Sequence, residues 1–264
     1  MSDNESSTVS NAEARLLPGP RPIDRHLLET VEFLNGMGMV VPVKLSGWVN
    51  YIDRHRSIPI VFTSLPYKYD ESLPHVYHTP EHMLAVANIA LALMGDYPYM
   101  SNGQRAAIIM AAMYHDYNHT LGKSPDDVNI AIAAEAFIKS GIGQVDPVWQ
   151  GLVVDLIHST HYVHGVGRYS NSELSDVLMD ADMLYMTVSK NTGDIFYRLC
   201  GETMSHNVSY TDMATGYKKQ LAFLTRVKFF TSKAQQFFGR DLATSLQDIR
   251  NYIAIKTGRS VENE

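Results

Sequence analysis

The chain has 264 residues, of which 45% are hydrophobic and 19% charged, and a formal net charge of -6. This composition supports a packed core and excludes bulk disorder. The single cysteine, Cys200, excludes a fold held by intrachain disulfides. Because no basic run is longer than the pair Lys218 and Lys219, we expect no binding of extended nucleic acid. A small molecule is therefore the expected ligand.

Residues 1–22 are rich in Ser, Asn, Glu and Pro and are predicted to form a flexible tail. They lack the basic and apolar regions of a signal peptide. The longest uncharged apolar stretch, Met83 to Gly95, is shorter than the ~20 residues of a membrane-spanning helix. We therefore expect a cytoplasmic protein without a membrane partner. Formation of a homo-oligomer is left open.

Residues 23–264 predict a single helical domain, because apolar residues recur at helical spacing and strand-like alternation is scarce. Two helix starts are marked by a hydroxyl cap, a proline and acidic residues, at Thr79-Pro80-Glu81 and at Ser124-Pro125-Asp126. The fold class is therefore all-α. Further helices are predicted from Pro147 to about His161, Ser172 to about Met186, Tyr210 to about Phe238 and Leu242 to about Ile255, with a loop over Val163 to Asn171.

Eight of the eleven histidines fall between His75 and His164, and most lie beside carboxylates or at predicted helix ends. The first group is His78 and His82, placed at a helix start so that both rings reach one site. A helix amino terminus favours neutral imidazole and attracts anions such as phosphate oxygens. These two residues therefore predict a ligand site that coincides with an anion site.

The second group is the adjacent pair His115 and Asp116, which an apolar helix delivers at its carboxyl end. Neighbouring residues on a helix diverge by about 100°, so both bind one ion only if it lies at the helix edge. His82 and a distant aspartate would complete the ligand shell. His119 is placed to meet a second metal or the substrate.

The third group is Asp180 and Asp182, two carboxylates inside an apolar run. An unpaired buried carboxylate is costly, and metal coordination removes that cost. In a helical context we expect only Asp182 to point inward to the ion. His158 and His161 are expected on one face of a helix end, where they would bind a second metal, contact phosphate or line the cleft.

Taken in chain order, these groups resemble a known signature. His82, His115-Asp116 and Asp182 are similar to the H…HD…D pattern of the HD superfamily of metal-dependent phosphohydrolases. Tyr77 to His82 resembles the Y-H-N-x-x-H motif of cyclic-nucleotide phosphodiesterases and of small bacterial predicted HD phosphohydrolases, and His115 to His119 resembles their H-D-x-x-H motif. The resemblance implies an HD-domain, phosphodiesterase-like helical bundle.

Downstream matches extend the resemblance over residues 70–240. Met179 to Met183 is similar to the L-D-A-D-L of the bacterial group, and Gln220 to Thr231 is similar to its F-L-x-R-x-x-I-F-x-T tail. That group usually carries an Asp-Asn-Glu segment after the HD motif, whereas Asn129 is flanked here by valine and isoleucine. The departure concerns the second metal site and the water-activating carboxylate that the family places there.

The resemblance implies a divalent metal cofactor, with Zn, Mn or Fe at a tight site and Mg or Mn at a second site. The implied ligands of the tight ion are His82, His115, Asp116 and Asp182. Asp116 would also act in catalysis by bridging the two ions. His78 would be the general acid that protonates the departing sugar oxygen, and His119 would orient water or a phosphate oxygen. The expected substrate-binding residues are Tyr77, Asn129 and His161.

The expected activity is hydrolysis of a nucleotide phosphoester, with a cyclic nucleotide or related small phosphodiester favoured by the Tyr77-His78 motif. A nucleotidase or nucleoside-triphosphate phosphohydrolase would use the same ion site. Aromatic residues available to stack a base are Tyr114, Tyr162 and Phe230. Two other classes stay open: a di-iron oxygenase, which shares the HD scaffold but needs two irons and more histidine ligands, and a degenerate HD protein that only binds a nucleotide.

Overall fold

The structure, a computed structural model, describes residues 29–30, 32–37, 49–53, 56–60, 77–162, 170–188, 192–204 and 208–261. Regular structure within these ranges is almost entirely helical, which confirms the all-α class. The predicted tail, His164 and most of the predicted 163–171 loop lie outside the described residues. Besides the helical residues 29–30 and 32–36, the helices are α1 (Pro80–Leu93), α2 (Asn102–Tyr114), α3 (Asp126–Lys139), α4 (Pro147–Ser159), α5 (Glu173–Val188), α6 (Thr192–Thr203), α7 (Tyr210–Leu224) and α8 (Ser232–Thr257).

One small hairpin accompanies the helices and was not expected from the sequence. Strand β1 (Val49–Asp53) pairs antiparallel with β2 (Arg56–Ile60), and Val49 lies opposite Ile60. Each strand has five residues, a length over which alternation is hard to tell from a helical pattern. Strand β2 lies against α1, so the hairpin is attached to the helical bundle.

Helices α1 and α2 form the centre of the bundle and pack against each other. Every residue from Arg105 to Tyr114 in α2 is buried, and so is every residue from Val86 to Leu93 in α1. A helix that is apolar on all sides belongs to a core and lacks the polar face of a surface helix. The uncharged stretch noted in the sequence is therefore a core helix. Among the described helices, none combines the length and apolarity needed to cross a bilayer.

The start of α1 agrees with the prediction, whereas the start of α3 differs. Thr79 is the N-cap of α1, and its hydroxyl accepts the backbone N–H of His82 at 3.3 Å. Helix α3 begins at Asp126 with Pro125 as its N-cap and has no side-chain capping hydrogen bond, so the predicted hydroxyl cap at Ser124 is wrong. Ser124 lies one residue before the N-cap, outside the position from which a side chain reaches the free N–H groups.

The carboxyl-terminal helices divide at a different place from the one predicted. The predicted helix from Tyr210 to about Phe238 ends at Leu224. Helix α8 then runs from Ser232 to Thr257, so the predicted start at Leu242 is also wrong. The actual break, over 225–231, lies 10 to 14 residues before the predicted one, because it is imposed by a contact distant in sequence.

That contact is made by Asp180 of α5. Its carboxylate accepts the backbone N–H of Phe230 at 3.0 Å and that of Thr231 at 2.7 Å. These N–H groups are then not available to carbonyls of a continuing helix. The Thr231 hydroxyl accepts the N–H of Ala234 and so caps the helix that follows.

Helix α6, which the sequence analysis did not predict, packs closely on α8. A Cβ atom at Gly193 would lie 2.5 Å from Cβ of Tyr252, so the two helices approach to a distance that only glycine allows. This contact fixes α6 against the long last helix. Its far end carries Glu202, which enters the candidate site.

Candidate functional site

Two histidines and two aspartates converge where α1, α2 and α5 meet. His82 is the third residue of α1, His115 caps the carboxyl end of α2, Asp116 follows it, and Asp182 lies within α5. The two Nε2 atoms of the histidines are 3.2 Å apart. We call these four residues the primary cluster.

Both aspartates present an oxygen to both histidines of the primary cluster. Oδ2 of Asp116 lies 3.0 Å from Nε2 of His82 and 2.9 Å from Nε2 of His115. Oδ1 of Asp182 lies 3.3 and 3.7 Å from the same two nitrogens. Ligands that bind one zinc ion at its usual bond lengths are roughly 3.3 Å apart in a tetrahedron. Donor atoms of His82, His115 and Asp182 all lie within 4.8 Å of one another and so fit around a single divalent cation, while Asp116 is close to both imidazoles.

The imidazole of His115 is held in the tautomer that metal binding requires. Its Nδ1 lies 2.8 Å from the carbonyl oxygen of Ala112, which can only accept a hydrogen bond. Nδ1 therefore carries the proton, and Nε2 faces the cluster. A ligating histidine whose other nitrogen donates to a carbonyl is the usual arrangement at protein metal sites.

The ring of His82 is oriented by packing. Within the described residues its buried Nδ1 has no hydrogen-bond partner. The ring instead lies between two tyrosines, with ring centroids 5.0 Å away for Tyr77 and 4.6 Å away for Tyr185. These contacts keep Nε2 directed at Asp116 and Asp182.

The electrostatics of the primary cluster favour added positive charge. Burial by itself would lower the pKa of His115, but the charges and hydrogen bonds of Asp116 and Asp182 raise it well above its usual value. Burial by itself would raise the pKa of Asp116, yet the neighbouring charges of His115 and His78 hold it well below its usual range. The Asp116 carboxylate is thus favoured in its ionised form, which attracts positive charge.

Asp180 and Asp182 are two residues apart on α5 but have different surroundings. Asp182 faces the histidines of the primary cluster. Asp180 is buried on another side of the helix, where it accepts the backbone N–H groups that end the loop before α8. Of the two, only Asp182 contributes to the primary cluster, whereas Asp180 stabilises the loop before α8.

A second group, His78, His119 and Glu202, lies beside the first, and we call it the acid cluster. Nδ1 of His78 is 2.5 Å from Oε1 of Glu202, and Nδ1 of His119 is 3.5 Å from the same oxygen. The two imidazoles are stacked, with ring centroids 3.7 Å apart. The sequence analysis missed Glu202, which belongs to no motif and is brought to the site by the unpredicted helix α6.

Backbone N–H groups fix the Glu202 carboxylate. Its Oε2 accepts the N–H of Tyr77 at 3.1 Å and the N–H of His78 at 3.2 Å. The side chain is only 1% exposed, so these bonds and the histidine contact replace its hydration. Oε1 is therefore directed at the imidazoles, and the hydrogen bond at Nδ1 leaves Nε2 as the ring nitrogen with which His78 can meet a ligand.

The two histidines of the acid cluster differ in proton affinity. Burial would lower the pKa of His78, but the charge of Asp116 and the hydrogen bond to Glu202 raise it above its usual value. Burial and the adjacent charge of His78 lower the pKa of His119 to about 4. Burial would raise the pKa of Glu202, whereas its hydrogen bond to His78 lowers it. These shifts favour a protonated His78 beside an ionised Glu202 and a neutral His119.

Asn129 supports His119 and is not directed at a ligand. Its Oδ1 accepts both the N–H and the hydroxyl of Thr120, at 3.0 and 2.8 Å. Its Nδ2 lies 3.1 Å from Nε2 of His119. Because both ends of the buried amide are engaged, the structure places this expected substrate-binding residue behind the site.

A cleft of about 380 Å³ is lined by His115, Asp116 and Asp182 of the primary cluster and by His78 of the acid cluster. At its floor lie residues of the primary cluster, together with Tyr77 and His78. The remaining lining residues form a mainly apolar wall: Asp126, Ile130, Thr160, Tyr162, Met183, Met186, Leu199, Gln220 and Phe223. Clefts of this volume are typical of small-ligand sites.

Other candidates lie away from this cleft. Neither His158, which is exposed, nor His161, whose Nε2 lies 4.0 Å from Oδ2 of Asp126, is among the residues that line the cleft. Tyr114 is buried in the core against Phe137 and cannot stack a base. Phe230 is outside the cleft, and of the three aromatics named from the sequence only Tyr162 lines it.

A larger groove, of about 810 Å³, lies between α2 and α4. Its acidic residues are Asp146 and Asp155, and its lining contains no histidine. Asp146 is already used, since its carboxylate accepts the N–H of Trp149 to cap α4. Volume alone would favour this groove as the ligand site. The convergence of titratable side chains instead favours the smaller cleft.

Neither a protein-family model nor a curated protein sequence matches this chain. The resemblance to HD phosphohydrolases therefore stays a prediction from the motifs. The geometry of the two clusters is independent of that resemblance.

Proposed function

We propose that this protein is a metal-dependent phosphohydrolase that cleaves a small nucleotide phosphoester, with a cyclic nucleotide or related phosphodiester as the favoured substrate. One observation carries the proposal: a group suited to a divalent cation and a histidine paired with a buried carboxylate open on the same cleft. Hydrolysis of a phosphoester needs both an activated water and a proton for the leaving oxygen.

The primary cluster would hold the cation through His82, His115, Asp116 and Asp182. When bound there, a divalent cation supplies Lewis acidity, which lowers the pKa of coordinated water and balances charge on the phosphate. Nitrogen and carboxylate donors favour zinc, manganese or iron over calcium. The residues fit this role because the donor separations and the tautomer of His115 both suit coordination through Nε2.

His78 would donate the proton to the departing oxygen. The carboxylate of Glu202 holds Nδ1 and favours the imidazolium form, so Nε2 carries a proton toward the cleft. After donation the imidazole is neutral and still hydrogen-bonded to Glu202. His119 stacks on the ring of His78 and limits its rotation. Glu202 therefore acts as a positioning residue and His78 as the general acid.

The apolar wall of the cleft would receive the base. The rings of Tyr162 and Phe223 lie with centroids 5.7 Å apart on this wall, and aromatic faces stack on nucleobases. Gln220 lines the same wall, and its amide offers both a donor and an acceptor, as a base edge requires. A phosphate at the primary cluster and a base at the wall would together fill the cleft.

Purified protein supplied in turn with Zn²⁺, Mn²⁺, Fe²⁺ or Mg²⁺ tests this function. We would incubate it with 3′,5′-cyclic mononucleotides, cyclic dinucleotides, nucleoside monophosphates and deoxynucleoside triphosphates, and separate the products by chromatography. The expected result is metal-dependent conversion of a cyclic substrate to a linear monophosphate. Chelation should abolish conversion, and restored metal should recover it.

The variant that tests the metal site is Asp182→Asn, which changes one donor of the primary cluster with little change in volume. It should lose both metal and conversion. Release of inorganic phosphate or pyrophosphate from linear nucleotides alone would replace the diesterase proposal with a nucleotidase or triphosphohydrolase. Oxygen consumption by iron-loaded protein would favour an oxygenase, and metal-loaded protein inactive across the whole panel would contradict the proposal.

A further inference from the structure

One carboxylate on the wall of the cleft belongs to neither cluster. Asp126 is the first residue of α3, and it lines the cleft together with Tyr162 and Phe223. Among the described residues that line the cleft, the only other acidic ones are Asp116 and Asp182 of the primary cluster. The Asp126 side chain is 47% exposed, so a ligand in the cleft can reach it. The proposed metal site and proton donor give this carboxylate no task.

We propose that Asp126 makes the cleft selective for a guanine base, by accepting hydrogen bonds from the N1–H and the 2-amino group of the base. The inference rests on the proposed function, because it assumes that the phosphate of a nucleotide lies at the primary cluster. It adds the chemical class of the base to that function and assigns Asp126 as a specificity-determining residue.

The Asp126 carboxylate is fixed beside the aromatic surface that would receive the base. Its Oδ2 accepts the backbone N–H of Tyr162 at 3.0 Å. The ring of Tyr162 lies against that of Phe223, with the centroids 5.7 Å apart, and both residues line the cleft. A base that stacks on Tyr162 would therefore have its polar edge within reach of the carboxylate.

A carboxylate distinguishes bases because it accepts hydrogen bonds and donates none. Guanine presents two adjacent donors, N1–H and the 2-amino group, which match the two oxygens of one carboxylate. Adenine and cytosine instead place an acceptor nitrogen next to their amino group, and that lone pair would oppose the negative charge of Asp126. Oδ2 can still serve the base while it binds Tyr162, since each carboxylate oxygen has two lone pairs. The carboxylate therefore favours guanine and disfavours adenine.

The other polar groups near this wall do not select between bases. The amide of Gln220 offers both an oxygen and a nitrogen, so it suits the edge of either purine. The hydroxyl of Thr160 already donates to the carbonyl oxygen of Ile157 at 2.8 Å. His161 is partly exposed, and its Nε2 is 4.0 Å from Oδ2 of Asp126, which is at the limit of an ion pair and leaves the carboxylate available. The choice of base is thereby left to Asp126.

Calorimetric titration of chelator-treated, full-length protein with GMP, IMP and AMP tests base selection without hydrolysis. The ribose and phosphate are common to the three ligands, so the ratio of their affinities reports on the base. Charge-assisted hydrogen bonds at a partly exposed site should make GMP bind about tenfold or more tightly than AMP. IMP, which lacks the 2-amino group, should bind less tightly than GMP. Equal affinities for GMP and AMP, or no binding of either, would overturn the inference.

Asp126→Asn separates the charge of this residue from its contact with Tyr162. The asparagine keeps one oxygen for the Tyr162 N–H, but its amide nitrogen is a donor and opposes the donors of guanine. The preference for GMP over AMP should therefore disappear. Asp127→Asn makes the same change at the next residue, which is exposed and does not line the cleft, and this matched control should keep the full preference. A preference unchanged in Asp126→Asn would overturn the assignment to this residue.

Turnover then shows whether the same selection acts in the reaction. With the metal restored, kcat/KM for cyclic GMP should exceed that for cyclic AMP by about tenfold or more, and Asp126→Asn should reduce this ratio. A higher kcat/KM for cyclic AMP would overturn the inference while the proposed function stands. If no nucleotide is hydrolysed but GMP is still preferred through Asp126, the proposed function fails and the selection of guanine stands.

Discussion

The primary cluster and the acid cluster use the same kinds of side chain but balance charge differently. The primary cluster combines two carboxylates with two imidazoles, so its charge is -2 when both imidazoles are neutral. The acid cluster combines one carboxylate with two imidazoles, and its charge is then -1. A divalent cation balances the first, and a single proton balances the second.

The carboxylates also differ in what holds them. Glu202 accepts two backbone N–H groups, those of Tyr77 and His78 just before α1, which stabilise its negative charge. The oxygens of Asp116 and Asp182 nearest the histidines face imidazole nitrogens instead. The comparison teaches that the same residue types can support different proposed roles, a metal site and a proton donor, when the number of carboxylates and their backbone bonds differ.

The strongest test of this difference is removal of one charge from the primary cluster. Asp182→Asn leaves a charge of about -1 there, which no longer balances a divalent ion, and the loss of several kcal/mol of transition-state stabilisation should reduce turnover by about 10⁴-fold. Metal analysis should show less metal bound at a fixed free concentration. Full metal content together with full turnover would exclude this residue from the site.

Removal of the proposed proton donor, His78, should have the next largest effect. His78→Asn should reduce turnover by about a thousandfold, because general acid catalysis is lost. The primary cluster should keep its metal, since His78 is not one of its ligands. His158→Asn serves as the control for loss of an exposed histidine. If His78→Asn lost metal along with activity, the separation of the two clusters into metal site and acid site would be wrong.

The pH dependence of turnover tests how Glu202 acts on His78. The pKa of His78 is raised above its usual value in part by Glu202, so the proposed acid should stay protonated to higher pH and activity should fall as pH rises through that pKa. Glu202→Gln removes this contribution. The fall of turnover on the alkaline side should therefore begin at lower pH, with a rate reduced roughly tenfold at a fixed alkaline pH.

A pH–rate profile of kcat for the two proteins measures this shift. Glu135→Gln makes the same substitution at an exposed glutamate of α3, whose carboxylate pairs with Lys139, and its profile should match the wild type. An alkaline limb that does not move in Glu202→Gln would show that the glutamate does not sustain the proton on His78.

The sequence predicted the local parts of the site better than its long-range parts. The helix start at Thr79, the His-Asp pair at the end of an apolar helix and the paired aspartates of α5 all have signals within a few residues. Hydroxyl caps, apolar periodicity and charge at a helix end are local properties of the chain. That four residues from these three groups share one site was predicted from the resemblance to known motifs, since spacing along the chain does not give distance in space.

The position of Glu202 and the break before α8 could not be predicted from the sequence. The glutamate reaches His78 across 124 residues of sequence, and the N–H groups that end the break reach Asp180 across 50 or more. Neither contact has a periodic or capping signal that precedes it. Asn129 shows the opposite error, because a polar residue near a motif was expected to face substrate and instead orients His119.

The smallest effect on turnover is expected from the other aspartate of α5. Asp180→Asn replaces one carboxylate oxygen by an amide nitrogen that would oppose the N–H groups of Phe230 and Thr231. The buried side chain would lose charge-assisted bonds, so the free energy of unfolding should fall by about 1–3 kcal/mol. Urea unfolding measures this loss, whereas turnover per folded molecule and metal content should stay at wild-type values. Asp180→Asn should therefore lower stability alone, whereas Asp182→Asn should lower metal binding and turnover. A loss of metal in Asp180→Asn would show that Asp180 also supports the metal site.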